Sequence, residues 1–227
     1  MQRRPADGKK TQDVAESGLD SQEMRVESVK EEASGAVAIT AGGFSFYVDQ
    51  GQLEALGLPL SALRPGAGLD EAAASILRLA AEAREAEKRG LSLLARAEQS
   101  ALMLRQKLEL RGFSGRAVAL ALERLAGQGW LDDARFARAY AASRLARRAE
   151  GPASLAAALR AKGVDADRAQ AAVDGLLGPE ARRAALAKAW SKELARSGGE
   201  PDKARSRLRA LGFSSSELRA YLEEQEE

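Results

Sequence analysis

A short phrase recurs three times along the chain at nearly even spacing, and it constrains the fold more than any other feature. It reads LxxxLxxRGFS at residues 104–114, LxxxLxxKGVD at residues 155–165 and, in a shorter copy, LxxLGFS at residues 208–214. The glycines of successive copies lie about 50 residues apart, which is a period typical of helical repeat arrays. The most regular part of the chain therefore predicts a scaffold of repeated helices that binds a partner.

The composition favours helices and removes the usual tools of catalysis. Hydrophobic residues make up 45% of the 227 residues but aromatic residues only 4%, and the abundant alanine suits closely packed helices. The sequence has no histidine and no cysteine, so it lacks the commonest general base, the commonest metal ligands and any thiol nucleophile. No phosphate-binding GxxxxGK[ST] loop occurs either. We therefore predict a protein that is not an enzyme and that uses no metal or other cofactor.

Charge is distributed unevenly, although the net charge is only +2. Residues 92–222 carry 24 lysines and arginines against 14 acidic residues, whereas residues 7–32 and the tail 223–227 are rich in acids. A basic body of this kind favours a polyanion or an acidic protein surface as its partner. The alternative is a solubilising surface whose arginines carry no function.

The region before the repeats is expected to hold two segments. Residues 1–34 are polar and lack periodicity, which predicts a disordered leader. The β-branched and aromatic runs at 37–40 and 44–48 flank Gly42 and Gly43, and this pattern predicts a β-hairpin.

A long helix is predicted to follow the hairpin. The helix is predicted to run from Leu69 to about Arg89, with one apolar stripe at residues 73, 76, 77 and 80, and Gly90 is expected to end it. Residues 53–56 fit either a short strand or a helical turn. We assign residues 35–90 to this hairpin and helix. No apolar run approaches the ~20 residues of a membrane span and no apolar signal core is found, so the predicted location is the cytoplasm.

Three consecutive three-helix units are predicted from residue 91 onward. We place the first repeat at 91–128, the second at 129–178 and the third, with the acidic tail, at 179–227. The helices after the glycines carry apolar residues at i, i+4 and i+7, and each such stripe needs a neighbouring helix to bury it. The predicted fold is therefore mainly α, with three tandem three-helix repeats in an elongated array, preceded by the hairpin, the helix and the leader.

Each glycine of the recurring phrase is predicted to separate two helices. A glycine just past a helix end adopts the left-handed backbone conformation that other residues avoid. Ser114, Asp165 and Ser214 follow two residues later and suit the N-cap of the next helix, and residues 214–217 have the form of a capping box. We expect these glycines to act structurally, without a direct functional role.

The helices that precede these glycines are repeatedly basic, as is the connection between the first two repeats. If equivalent helices lie on one face of the array, their charges form a stripe that can follow a phosphate backbone or an acidic groove. The alternative is a set of solvated helix faces without function. The candidate binding residues, called here the basic stripe, are Arg105, Lys107, Arg111, Arg144, Arg147, Arg148, Arg160, Lys162, Lys203, Arg205, Arg207 and Arg209.

The aromatic residues of the repeats do not alternate with the basic residues, as they would in a platform that stacks bases. They fall on the apolar stripes instead. We expect core packing for all six of them: Phe113, Trp130, Phe136, Tyr140, Trp190 and Phe213.

Several stretches of the repeats together resemble the bacterial RecX family of regulatory proteins. The resemblance covers about residues 91–222 and is strongest from 111 to 165. The third copy departs from the repeated pattern, because Ala204 stands where the other copies have leucine. The matching stretches are RGFS at 111–114, LERL at 122–125, GWLDDARFA at 129–137, YAASR at 140–144, GP at 151–152 and KGV at 162–164.

The resemblance implies three tandem three-helix repeats and a protein that binds the RecA recombinase. Such a protein lodges in the groove of the RecA–DNA filament and suppresses strand exchange, ATP hydrolysis and coprotease activity, in DNA repair and the SOS response. It also implies binding of single- or double-stranded DNA in some members, and we expect a monomer. Two other functions stay open: a helical-repeat protein that binds DNA non-specifically without a recombinase, and a scaffold whose basic faces only keep it soluble.

Overall fold

The protein is described here by a computed structural model that covers residues 24–32 and 35–226. This part of the chain is mainly helical, with ten α-helices and a small sheet of four strands. It divides into two compact units, one up to Ala80 and one from Ala81 onward. The predicted fold class, helical repeats after a small β-hairpin region, is confirmed.

The sheet of the first unit is antiparallel and has the strand order β3-β2-β1-β4. Gly42 and Gly43 form the turn between β2 and β3 with φ of 56° and 78°, so the predicted hairpin is confirmed. Ile39 pairs with Phe46 across this hairpin and is fully buried. The four strands are β1 (Met24–Glu31), β2 (Ala36–Ala41), β3 (Phe44–Asp49) and β4 (Gly68–Leu69).

The predicted leader is wrong in its C-terminal part, because residues 24–31 form strand β1. The remainder of the predicted leader, apart from Glu32, lies outside the described residues. Val26 of this strand is 1% exposed and pairs with Ala41 of β2. The sequence did not predict this strand, because most residues around Val26 are polar. Which side chains of a strand are buried depends on the neighbouring strand and not on the strand's own sequence alone.

Two helices follow the hairpin. Helix α1 (Gln50–Ala55) begins after its N-cap Asp49, whose carboxylate accepts from the N–H of Gln52. Residues 53–55 therefore end a helix that Leu56 caps, and the alternative of a strand is wrong. A 3₁₀ turn (Leu60–Ala62) precedes β4, and helix α2 (Glu71–Leu94) begins after Asp70.

Helix α2 continues past Gly90, where the sequence predicted its end. A Cβ atom added at Gly90 would lie 2.7 Å from Cδ1 of Leu125, which belongs to a later helix. The glycine therefore lets that helix pack closely against the interior of α2. No separate helix therefore begins at Leu91, and the predicted border at residue 90 lies within α2. The other predicted domain borders stay predictions.

The second unit continues with eight helices grouped around three apolar clusters. The first cluster is built on Leu104, Leu108 and Leu125, the second on Leu155 and Leu159, and the third on Leu208 with Phe213 and Leu218. The helices are α3 (Ala101–Glu109), α4 (Gly115–Gly127), α5 (Asp133–Arg147), α6 (Pro152–Arg160), α7 (Ala166–Leu176), α8 (Pro179–Arg196), α9 (Pro201–Ala210) and α10 (Ser215–Glu226).

The glycines of the recurring phrase adopt the left-handed conformation that the sequence predicted. The φ angles are 90° at Gly112, 85° at Gly163 and 90° at Gly212. The predicted N-caps are also confirmed: Ser114 accepts from the N–H of Ala117, Asp165 from that of Arg168 and Ser214 from that of Glu217. Glu217 in turn accepts from the N–H of Ser214 at 2.7 Å, which completes the capping box.

The second glycine turn also makes a contact between the second repeat and the first. A Cβ atom added at Gly163 would lie 2.3 Å from Cβ of Leu102, a distance that real Cβ contacts do not reach. The hydroxyl of Ser100, the N-cap of α3, donates to the carbonyl of Lys162 at 2.5 Å. The turn after α6 is thus seated on the start of α3.

The same arrangement recurs one repeat further along the chain. A Cβ atom added at Gly212 would lie 2.4 Å from the backbone nitrogen of Ser154, and the N–H of Gly151 donates to the carbonyl of Leu211 at 2.8 Å. At Gly112 an added Cβ would meet no atom within 4 Å. The last two glycine turns therefore join one repeat to the one before it.

Candidate polyanion-binding surface

Six members of the basic stripe lie against carboxylates of the same chain. The pairs of Arg105, Lys203 and Arg205 join residues within or beside one helix and are exposed. An exposed pair of this kind stabilises the fold by less than ~1 kcal/mol, so another anion can replace its carboxylate. The six are Arg105 with Glu109 at 3.9 Å, Lys203 with Glu200 at 2.8 Å, Arg205 with Asp202 at 3.0 Å, Arg207 with Glu193 at 3.7 Å, and Arg144 and Arg148 with Glu150.

Arg144 and Arg148 belong to a buried ion cluster centred on Glu150. The Glu150 side chain is only 1% exposed, and its carboxylate accepts from both arginines and, at 2.8 Å, from the hydroxyl of Ser154. Arg144 also donates to the hydroxyl of Tyr140 at 3.0 Å and lies over its ring. Arg144 therefore stabilises the connection between α5 and α6, which the sequence pattern did not reveal.

The environment of Glu150 keeps its carboxyl ionised. Burial by itself opposes the charge, but hydrogen bonds from Arg144, Ser154 and Arg148 outweigh burial and lower the pKa of Glu150 to about 2. The hydrogen bond to Glu150 likewise raises the pKa of Arg144 above its ordinary value. The charge of Arg144 is thus compensated inside the protein.

The other six residues of the basic stripe have no carboxylate partner within the described part of the chain. Lys107 donates to the side-chain amide of Gln99 at 2.6 Å, and Arg111 donates to the carbonyl of Lys107 at 2.5 Å. The full set is Lys107, Arg111, Arg147, Arg160, Lys162 and Arg209. These residues keep an uncompensated positive charge that an anionic partner can meet.

The basic residues of α9 do not form a single line. Arg205 and Arg209 line a groove between α9 and α10, whereas Arg207 lies against Glu193 of α8. Arg219 of α10 lines the same groove but is missing from the basic stripe, because that prediction considered only the helices before the glycines and the connection between the first two repeats. The positive charge of this repeat therefore divides between two faces.

The aromatic residues follow the prediction in most cases. Phe136 is 4% exposed and stacks on Tyr140 with 5.6 Å between ring centroids, and Phe213 is 3% exposed. Trp130 is the exception, since 55% of it is exposed. The prediction of core packing is wrong for Trp130, because the residue lies in the connection between α4 and α5 and not on a helix stripe.

The described residues include neither a group of side chains that could hold a metal ion nor a helix that could span a membrane. Within residues 24–32 and 35–226, no group of three or more acidic residues is arranged to hold a metal ion. Among the described helices, none is long and apolar enough to span a membrane.

Comparisons with known proteins agree on one family. The family model for the second three-helix domain of RecX matches residues 132–173, which include all of α5 and α6 and most of α7. The regulatory protein RecX of Treponema pallidum (strain Nichols) is 38% identical over 138 residues, a match that covers 61% of this chain and 84% of that protein. The chain belongs to the RecX family.

Other RecX proteins match a shorter part of the chain. The regulatory protein RecX of Xanthomonas campestris pv. campestris (strain B100) is 43% identical over 86 residues, which is 38% of this chain and 52% of the relative. The chain thus spans about half the length of this curated relative.

Solved structures confirm the fold of the family. A crystal structure of regulatory protein RecX matches with a TM-score of 0.68 at 23% identity, covering 88% of this chain and 99% of that one. The crystal structure of RecX from Lactobacillus salivarius matches with a TM-score of 0.57 at 17% identity, covering 63% and 96%. RecX proteins therefore share these helical repeats even where few residues are identical.

Proposed function

We propose that this chain binds the RecA recombinase and its filament on DNA and inhibits strand exchange, ATP hydrolysis and coprotease activity. The observation that carries this proposal is membership of the RecX family, whose matched curated members are named regulatory proteins. In the proposed role the protein is a cytoplasmic monomer that takes part in DNA repair and the SOS response. It acts by binding, without catalysis.

The arrangement of charge supports a role in binding. Uncompensated basic residues occur in each of the three repeats, with Lys107 near the first glycine turn, Arg160 near the second and Arg209 near the third. A single exposed charge contributes little to affinity, but several on one chain act together, because the first contact raises the effective concentration of the next. Such a surface suits a partner that repeats along a filament.

The rate of ATP hydrolysis by the cognate recombinase on single-stranded DNA tests this proposal. We expect this protein to lower the rate of ATP hydrolysis at molar ratios well below one copy per recombinase protomer, because blocked growth or loss of a filament affects many protomers at once. An unchanged rate up to excess protein, with filaments confirmed by electron microscopy, would contradict the inhibitor role.

Charge reversal at exposed stripe residues tests how the inhibition works. The double variant Arg147→Glu, Arg160→Glu should inhibit several-fold less, since both residues are exposed and have no carboxylate partner in the described chain. The matched control is Lys188→Glu, Lys192→Glu, which changes the net charge equally at exposed positions outside the stripe. Equal loss in both variants would argue against a role for the stripe itself.

A second candidate function is non-specific DNA binding without a recombinase. The same uncompensated residues favour it, because Lys and Arg side chains that are free to meet phosphates supply most non-specific affinity. Binding to labelled single- and double-stranded DNA at several salt concentrations distinguishes the two functions. Loss of DNA binding in the stripe variant, with ATP hydrolysis by the recombinase unaffected by either protein, would favour this second function.

A further inference from the structure

The groove between α9 and α10 combines positive charge with an apolar floor. Its volume is about 390 Å³, which is within the range of sites that hold a small ligand or a few side chains. Leu218 in the floor is 4% exposed, so its packing fixes the base of the groove. The lining residues are Arg205, Arg209, Ser215, Leu218, Arg219, Leu222 and Glu223.

The charges on the groove are only partly compensated. Arg205 pairs with Asp202 at 3.0 Å, an exposed contact between neighbouring turns of α9. Arg209 and Arg219 are exposed and have no carboxylate partner in the part of the chain that the structure describes. Glu223 is the one acidic residue among the residues that line the groove. The groove therefore presents a net positive charge to a ligand.

The other repeats show that the fold does not require these arginines. Relative to the glycine of the recurring phrase, the three arginines stand seven and three residues before it and seven residues after it. The corresponding residues are Arg105, Glu109 and Ala119 in the first repeat, and Ala156, Arg160 and Gln170 in the second. Three arginines at these positions are thus a property of the third repeat alone, whereas the positions of Leu218 and Leu222 carry apolar residues in all three repeats.

We propose that this groove binds an acidic peptide segment of a partner protein, with carboxylates on Arg209 and Arg219 and an apolar side chain on Leu218 and Leu222. Arginine suits this ligand because its planar guanidinium holds a carboxylate through two parallel hydrogen bonds. A nucleic-acid backbone would meet the arginines but would leave the leucine floor without a partner. The proposal deepens the proposed function and rests on it for the identity of the partner alone.

Binding of a labelled peptide to the full chain tests the site without a recombinase. The probe is a fluorescein-labelled peptide of about twelve residues that carries glutamates on one helical face and leucines on the adjacent face, and its binding is measured by fluorescence anisotropy. We expect binding to weaken by tenfold or more in Arg209→Glu, Arg219→Glu, because both carboxylate partners become repulsive. The matched control Lys188→Glu, Lys192→Glu lies on α8 of the same repeat and should bind as the natural chain does.

Two further probes and one conservative variant sharpen the test. The variant Arg209→Lys, Arg219→Lys keeps the charge but loses the paired hydrogen bonds, so it should bind the peptide more weakly than the natural chain. A peptide with serine in place of every leucine should also bind more weakly, since it leaves the floor uncovered. An oligothymidine probe should be much less sensitive to the reversed arginines than the peptide.

Several outcomes would overturn the proposal. The proposal would fail if the natural chain did not bind the peptide up to millimolar concentration, or if the α8 control weakened peptide binding as much as the groove variant does. It would also fail if Arg209→Glu, Arg219→Glu lost binding of oligothymidine but kept binding of the peptide. The assay is independent of recombinase inhibition. If the groove variant loses the peptide while the natural chain does not inhibit the recombinase, the groove stands and the proposed function fails. If the natural chain inhibits the recombinase but does not bind the peptide, the proposed function stands and the groove proposal fails.

Discussion

Glu150 is the residue whose surroundings depart most from what its type suggests. A carboxylate that is 1% exposed is costly unless several donors surround it, and here two arginines and one serine do so. The adjacent Gly151 receives the glycine turn of the next repeat, since its N–H donates to Leu211. The ion cluster therefore holds the connection on which the second and third repeats meet.

Glu150→Gln should destabilise the protein at neutral pH by about 2–3 kcal/mol, because it leaves Arg144 without its charged partner in a largely buried site. The pKa of Glu150 is about 2 in the folded protein, against an ordinary value of 4.5. Its contribution is therefore present above pH 4.5 and is lost as the pH falls towards 2. Urea unfolding at neutral pH and near pH 3 measures both effects.

The variant should also show a weaker dependence of stability on acid pH than the natural chain. Glu180→Gln is a suitable control, since Glu180 is exposed in the first turn of α8. An unchanged free energy of unfolding in Glu150→Gln at neutral pH would contradict the structural role of the cluster.

At the scale of elements, the glycine turn is the unit that recurs. Each turn ends one helix in the left-handed conformation and begins the next with a capped N-terminus. The turns at Gly163 and Gly212 also touch the preceding repeat, whereas an atom added at Gly112 would be in open space. The three glycines thus share a backbone conformation and differ in their surroundings.

Alanine substitution of these glycines separates the two contributions. Gly112→Ala should cost about 1–2 kcal/mol, because alanine must adopt a left-handed backbone. Gly163→Ala and Gly212→Ala should cost a further ~1–3 kcal/mol, because the added methyl group overlaps Leu102 or Ser154. The free energy of unfolding in urea, with circular dichroism as the signal, checks the order. Similar losses in all three variants would show that the contact between repeats contributes little.

At the scale of the whole molecule, we expect the surplus of basic residues in the repeats to affect the rate of binding to a charged partner more than it affects folding stability. Residues 92–222 hold 24 basic and 14 acidic residues, so they attract a negatively charged partner over about a Debye length, roughly 10 Å at 0.1 M salt. The exposed ion pairs of the helices contribute little to folding. Salt should therefore affect binding much more than it affects unfolding.

Stopped-flow measurements of binding to recombinase filaments test this expectation. Raising the salt concentration from about 50 to about 200 mM should lower the association rate about tenfold, since screening weakens electrostatic steering. The midpoint of urea unfolding, measured in the same two buffers, should change little. An association rate that does not depend on salt would show that the basic surplus does not act in the encounter.

The sequence alone determined the features that depend on local backbone geometry. The left-handed glycines, the N-caps at Ser114, Asp165 and Ser214, and the hairpin around Gly42 all follow from residues next to each other in the chain. The family resemblance belongs to the same class, because it also rests on short runs of residues. Each of these predictions agrees with the fold or with the comparisons.

Tertiary structure alone decided which side chains are compensated and which glycines are crowded. Glycine is common at helix ends, and Gly90 was therefore predicted to end α2. It lies inside α2 instead, where its lack of a side chain makes room for Leu125. Arg144 and Arg209 look alike in the sequence, yet one lies on a buried carboxylate and the other lines an open groove. The reason is physical: burial and ion pairing depend on residues brought together by packing, and the periodicity of a single helix carries no information about them.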